Sequence, residues 1–109
     1  YNIAPEARDV YDPAAWEGNV LFSVPERSAY KELLAAGLQD AFRLFEQPEK
    51  TFSWWDYRAG GFRRNHGLRI DLLLVSAGLA SLCKQSRIDR ETRALERPSD
   101  HAPVWAELA

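Results

Sequence analysis

Apolar residues are densest over residues 67–76, which read Gly-Leu-Arg-Ile-Asp-Leu-Leu-Leu-Val-Ser. A short run rich in Leu, Ile and Val, bounded by Gly67 and by Ser76-Ala77-Gly78, predicts a strand buried on both faces. Alternation sets Leu68, Ile70, Leu72 and Leu74 on one face, and Arg69, Asp71, Leu73 and Val75 on the other. Upstream, Tyr30, Leu33, Leu34 and Leu38 recur at helical spacing. Ser23 and Glu26 make a capping-box pattern, Pro25 suits a first turn, and Gly37 is a natural stop. A helix is therefore predicted over about residues 25–36, packed against a sheet. Residues 38–44 read as a short turn or helix.

Residues 51–57, Thr-Phe-Ser-Trp-Trp-Asp-Tyr, are β-branched and aromatic and predict a second strand. Residues 58–66 carry Gly60, Gly61 and three arginines, a basic loop that can join the two strands as a hairpin. Further predictions are a helical turn over 77–82, a weak strand over 83–89, a charged surface loop over 90–98 and an alternating strand over 102–108. Residues 1–20, interrupted by Pro5, Pro13 and Gly18, read as irregular apart from a helical turn at 13–16. The sum is an α/β (α+β) domain with a mostly antiparallel sheet and at least one flanking helix.

One residue breaks the pattern. Asp71 is a carboxylate in an apolar strand, which costs several kcal/mol, roughly, unless it is paired. The bland partner is Arg69 on the same face; the functional alternative is a catalytic group that Asp71 orients.

Composition changes the picture only in places. The 109 residues suit one small domain, and a hydrophobic share of 46% with 28% charged residues argues against disorder. No apolar run reaches the length of a membrane span, so no membrane role is expected. Cys83 is the sole cysteine, which excludes an internal disulfide, fits a reducing compartment and makes a thiol nucleophile or metal site a poor reading. The net charge of -2 does not point to nucleic acid, but its distribution is uneven. Arg58, Arg63, Arg64 and Arg69 face only Asp56 over residues 51–70, so positive charge gathers among aromatics.

Two clusters carry candidate chemistry. Asp100-His101 lies in a loop just before the last strand. Histidine is the usual proton-handling or phosphate-binding group near neutral pH, and a carboxylate fixes its tautomer. Adjacent strand residues point opposite ways, so His101 needs another partner, and Asp71 on a neighbouring strand is the obvious one. Asp100 is then left for a metal or a water. A surface-loop histidine is the plain alternative. The second cluster is Trp54-Trp55-Asp56-Tyr57-Arg58 with the basic loop behind it. Aromatic faces stack on unpaired bases and Arg contacts phosphate; a core aromatic pair beside a solvated loop is equally consistent.

The segments Thr51-Phe-Ser-Trp-Trp-Asp-Tyr-Arg58, Gly67-Leu-Arg-Ile-Asp71 and Pro98-Ser-Asp-His-Ala-Pro-Val104 resemble the exonuclease III branch of the endonuclease/exonuclease/phosphatase superfamily. The Arg-Ile-Asp and Ser-Asp-His motifs occur across the superfamily, and the Trp-Trp-Asp-Tyr-Arg stretch is narrower. Tyr1-Asn2 is similar to the end of the family's Gly-Asp-x-Asn motif. The resemblance implies a DNase-I-like fold of two packed sheets and hydrolysis of DNA phosphodiesters with Mg²⁺ or Mn²⁺, from 3′ ends and 5′ to abasic sites. It implies that His101 contacts the scissile phosphate with Asp71 behind it, that Asn2 positions the water or phosphate, and that Asp100 lies by the metal. Trp54 and Leu68 would line the pocket for the abasic sugar, with Arg58 on the DNA backbone. It also implies a bacterial cytoplasmic enzyme working at the nucleoid.

The same resemblance marks what to expect of this chain. It contains no Met and starts after the family's Gly-Asp. It is expected to be the C-terminal half of such a nuclease, residues 1–109 forming one domain, with the N-terminal half a missing partner. Alone it is expected to be inactive. An apolar sheet face left uncovered, Leu72 with Leu74 or Leu73 with Val75, would favour a two-fold homodimer. The competing readings are a superfamily phosphoesterase on a non-DNA substrate and a non-catalytic DNA-binding module.

Overall fold

The computed structural model describes residues 2–56, 61–93 and 100–108. The predicted helix is α2, Val24–Ala35, preceded by a one-turn α1 at Pro13–Trp16. Its capping box forms as the sequence predicts: Ser23 Oγ accepts from the Glu26 N–H, and the Glu26 carboxylate accepts from the Ser23 N–H. Gly37 has φ +107°, a conformation without cost only for a residue lacking Cβ, and it turns the chain straight into β1, Leu38–Asp40. The sequence reading of 38–44 as a turn or helix is corrected here. Its first three residues are a strand, and only Ala41–Leu44 form a 3₁₀ turn, capped by Asp40 accepting from the Phe42 N–H.

The strands pair antiparallel, as expected, and among the described residues they do so in three two-stranded ladders. The first joins β1 to β4 (Leu74–Ser76), with Leu38 opposite Ser76. The second joins β2 (Trp54–Trp55) to β3 (Gly67–Leu68), with Trp54 opposite Leu68. The third joins β5 (Cys83–Ile88) to β6 (Val104–Leu108) and is the longest. Between β4 and β5 lies α3, Ala77–Ala80, and Arg90–Arg93 form a final turn, α4, where a loop was expected.

The apolar run at 67–76 is therefore not one strand. It starts on β2, ends on β1, and is extended without a ladder in between. Its polar backbone groups are met individually: the Arg69 N–H donates to Asp9 O at 2.8 Å, Ile70 O accepts from Asn2 at 3.0 Å, and Leu73 O accepts from Ala41 at 2.9 Å. The Ile70 and Asp71 N–H groups both donate to Ser53 Oγ, at 3.0 and 3.1 Å. Successive N–H groups of a regular strand point to opposite edges, so their meeting at one oxygen means a local bend. Burial on both faces holds only for residues 67–70. Leu72 stays buried, while Leu73 is exposed.

Two apolar clusters flank this run. Ala4, Val10, Phe22, Leu68 and Ile70 form one, with Trp54 packed on its edge. Phe52, Trp55 and Ala102 form the other. Because Leu72 is covered within the chain, the Leu72 face gives no support to a two-fold dimer.

Arg69 does not pair with Asp71. Its guanidinium, 1% exposed, lies between Asp9 and Asp40, both buried. Nε donates to Asp9 Oδ1 at 2.8 Å, and Nη1 and Nη2 donate to the two Asp40 oxygens at 3.2 and 2.6 Å. Arg43 donates to the same Asp9 oxygen, and Tyr30 Oη donates to Asp40 Oδ2 at 3.0 Å, tying α2 to β1. Burial pulls the Arg69 charge down, but the hydrogen bond to Asp40 and the Asp9 and Asp40 charges outweigh it, and its pKa rises. Burial also raises the Tyr30 pKa far above its ordinary value, and the Asp40 charge and hydrogen bond add to it.

Two outcomes follow. Arg69→Met leaves the buried Asp40 without its cation and Asp9 with Arg43 alone, and should cost about 3–5 kcal/mol in urea unfolding, far more than a surface substitution. Tyr30 holds its proton more tightly folded than unfolded, so its contribution is complete below its ordinary value of 10.0 and is lost as pH rises above it. The urea midpoint should therefore fall above about pH 10, and Tyr30→Phe should flatten that part of the curve.

Candidate active site

The bend after β3 aims Asp71 at the segment that enters β6. His101 Nδ1 lies 2.8 Å from Asp71 Oδ2 and 3.1 Å from Oδ1, thirty residues away in sequence. A carboxylate only accepts, so Nδ1 carries the proton and the tautomer is fixed. The pair is neither core nor freely solvated, with side-chain exposures of 35% for His101 and 25% for Asp71. That is where a proton-handling group can meet a ligand and still be held.

The same strand pairing sets the neighbours. Trp54 and His101 form an antiparallel bridge. The Trp55 N–H donates to Asp100 O at 3.1 Å, and the Ala102 N–H donates to Ser53 O at 2.7 Å. The Trp54 indole N–H reaches Asp100 Oδ2 at 3.0 Å, and Asp100 Oδ1 lies 3.8 Å from His101 Nε2. Asp100 thus faces the same side as the imidazole without taking its Nδ1 proton. Asn2, exposed and at φ +54°, donates its backbone N–H to Ile70 O, one residue before Asp71. The tryptophan pair divides: Trp55 is in the core, and Trp54 is half-buried at the surface beside Trp16, with ring centroids 6.4 Å apart.

Not every sequence-predicted residue joins the site. Leu68 is corrected: it is 0% exposed and packed among Val10, Phe22 and Ile70, so it offers no surface to a sugar. Arg58 lies outside the described residues, as do Tyr57, Gly60, and Pro98-Ser99. Two residues that sequence reasoning missed matter most to placement. Ser53 sits under the pair, and Asp9 holds Arg69. Ser53 had a weak signal, a small hydroxyl between Phe52 and Trp54; Asp9 had none beyond its charge.

A divalent cation of the kind the superfamily uses finds only part of a site here. Both Asp71 oxygens engage His101, and one Asp100 oxygen accepts from Trp54. Among the described residues no three His, Cys, Asp or Glu side chains group around a point. A hard cation takes about six oxygen ligands. The described residues do not by themselves make a metal centre, and Asp100 can contribute one carboxylate to one.

The chain is 50% identical to exodeoxyribonuclease III of Haemophilus influenzae, over 98% of this chain and 43% of that protein. A solved 3′ phosphatase from Neisseria, bound to product DNA hairpin, superposes with a TM-score of 0.96 at 48% identity, over 100% of this chain and 42% of that one. An AP endonuclease from Archaeoglobus fulgidus does so with a TM-score of 0.90 at 36% identity, over 98% and 42%. The chain spans less than half the length of these relatives. The model of the endonuclease/exonuclease/phosphatase family matches residues 1–101, and the chain belongs to that family.

Proposed function

We propose that this chain supplies the phosphate-facing residues of a DNA-repair nuclease, one that hydrolyses phosphodiesters from 3′ ends and 5′ to abasic sites. The observation that carries the reading is the half-exposed Asp71–His101 pair beside Trp54 and Asp100. In this reading Asp71 holds Nδ1, so that Nε2 of the imidazolium donates to a non-bridging phosphate oxygen as charge develops on it. The Asn2 amide lies on the neighbouring segment and positions the water or the phosphate. Trp54 offers an aromatic face where a base or a base gap arrives, and the exposed Arg63 and Arg64 favour a polyanion over a small phosphoester.

Mg²⁺, or Mn²⁺, beside Asp100 would supply further charge to the phosphate. The chain spans less than half the length of its relatives, and in this reading side chains from the rest of the protein complete the centre. They would belong to the other half of the two-sheet fold, and the activity would be that of the complete cytoplasmic protein. Cleavage of duplex DNA with an abasic site by the complete protein, with no turnover of a soluble inositol phosphate, is the expected result. The opposite preference would move the assignment to a phosphoesterase, and DNA binding without cleavage would make it a binding module.

Two substitutions in the complete protein test the assignments. Asp71→Asn and His101→Asn should each lower turnover on the order of 10²-fold or more, and the double variant should be little worse, since groups acting as a unit are non-additive. Multiplicative losses would break the pair. Trp54 has two roles that its variants separate. Trp54→Phe keeps a ring but loses the donor to Asp100, and should slow abasic-site cleavage and 3′-phosphate removal alike. Trp54→Ala should in addition weaken abasic-site cleavage by about 1–3 kcal/mol. Equal losses on both substrates for Trp54→Ala would leave only the hydrogen bond.

A further inference from the structure

The Asp71–His101 pair joins two segments thirty residues apart, and neither residue lies within a strand ladder: Asp71 follows β3 and His101 makes an isolated bridge before β6. Its oxygens and nitrogen must meet within a few tenths of an ångström to stay hydrogen-bonded. Something has to hold both segments against one another, and one residue touches both. Ser53 is 0% exposed. Its Oγ accepts from the Asp71 N–H at 3.1 Å and from the Ile70 N–H at 3.0 Å. Its carbonyl accepts from Ala102, the residue after His101, at 2.7 Å, and its own N–H donates to Leu68 O at 3.0 Å. Four hydrogen bonds from one residue therefore fix the backbone on either side of the pair.

The side-chain bonds are the unusual ones. A regular ladder would use backbone carbonyls, and it would leave the two N–H groups pointing apart. The hydroxyl draws both to one point and bends the chain at Asp71, as bulges near functional sites do when they re-aim a side chain. We propose that Ser53 is a positioning residue for the Asp71–His101 pair, its hydroxyl holding the bend that presents the Asp71 carboxylate to the imidazole. The proposal rests on the nuclease reading above and adds to it a residue that touches neither substrate nor reacting atoms.

The neighbourhood narrows the alternatives. The Arg69 network anchors the same run two residues before Asp71, but it grips the Arg69 side chain through Asp9 and Asp40 rather than the Asp71 backbone. Trp54 steadies Asp100, not Asp71. Ser53 alone among these meets the Asp71 backbone and the residue following His101. Its Oγ acts as an acceptor toward Asp71, so a side chain of similar size that accepts only weakly should lose part of the effect. Cysteine is that side chain, and threonine keeps the hydroxyl.

The test uses the complete protein on duplex DNA with an abasic site, with turnover, KM and melting temperature measured for wild type, Ser53→Thr, Ser53→Cys and Ser53→Ala. A displacement of about 1 Å at a catalytic group costs on the order of 10²-fold. Ser53→Ala should therefore lower kcat by about 10- to 100-fold with KM within about 2-fold, Ser53→Cys should fall between, and Ser53→Thr should retain most of the rate. In an Asp71→Asn background the Ser53→Ala loss should shrink to less than about 3-fold, because the carboxylate it positions is gone. The inference is overturned if kcat follows melting temperature rather than the hydroxyl, if KM rises while kcat holds, or if the two losses multiply. A wild-type protein that leaves phosphodiesters intact overturns the nuclease reading and this inference together. Cleavage by wild type with unchanged rates in Ser53→Ala and Ser53→Cys overturns this inference alone.

Discussion

A guanidinium with almost no water around it organises this chain. Arg69 cannot lose its proton at any accessible pH, and a buried charge of that size demands matched carboxylates. Asp40 meets it with two oxygens and Asp9 with one, and each carboxylate then recruits a second donor, Tyr30 in one case and Arg43 in the other. The helix α2, the strand β1, the 3₁₀ turn Ala7–Asp9 before α1 and the central run are thereby tied to one group. Replacing such a network with apolar residues need not destabilise a protein, so its use here is to specify where four segments meet.

That registration has a consequence two residues on. Arg69 and Asp71 share a face, and both line the small cavity beneath Ile88 and Val104. Holding one side chain rigidly in the interior leaves the next one on that face at the margin, where β5 and β6 approach. The apolar residues between and beyond them, Ile70 and Leu72, seal the opposite face. A run with the composition of a core strand therefore delivers one carboxylate to a half-exposed position, with its backbone held by Ser53.

The aromatic pair works by the same division. Trp55 fills the second apolar cluster, and Gly67 lies opposite it because any Cβ there would stand 2.6 Å from the Trp55 indole nitrogen. Trp54, pointing the other way, is left at the surface with its N–H on Asp100. One member of the dipeptide makes the fold and the other faces the site. A strand needs no more than its alternation to accomplish this.

The helix, its capping box and stop, and the antiparallel pairing of the Trp-Trp segment with the Gly67 segment were legible in the sequence, which also named His101 beside Arg69 as a partner for Asp71. These rest on local rules: periodicity, cap chemistry and the cost of an unpaired carboxylate in an apolar run. Family membership was also legible, because Gly67-Leu-Arg-Ile-Asp71 and Asp100-His101 are contiguous. Tertiary structure alone decided the rest. Burial on both faces ended at Ile70, because the run changes partners, and no local pattern records which strand will lie alongside. Arg69 chose Asp9 and Asp40 over its near neighbour Asp71, because a buried guanidinium needs three or more acceptors and a single carboxylate two residues away cannot supply them. Leu68 went to the core and Trp54 to the surface, although both were expected on one wall. Ser53 was unreadable as anything but a small strand residue, because its role lies in backbone groups from two distant segments.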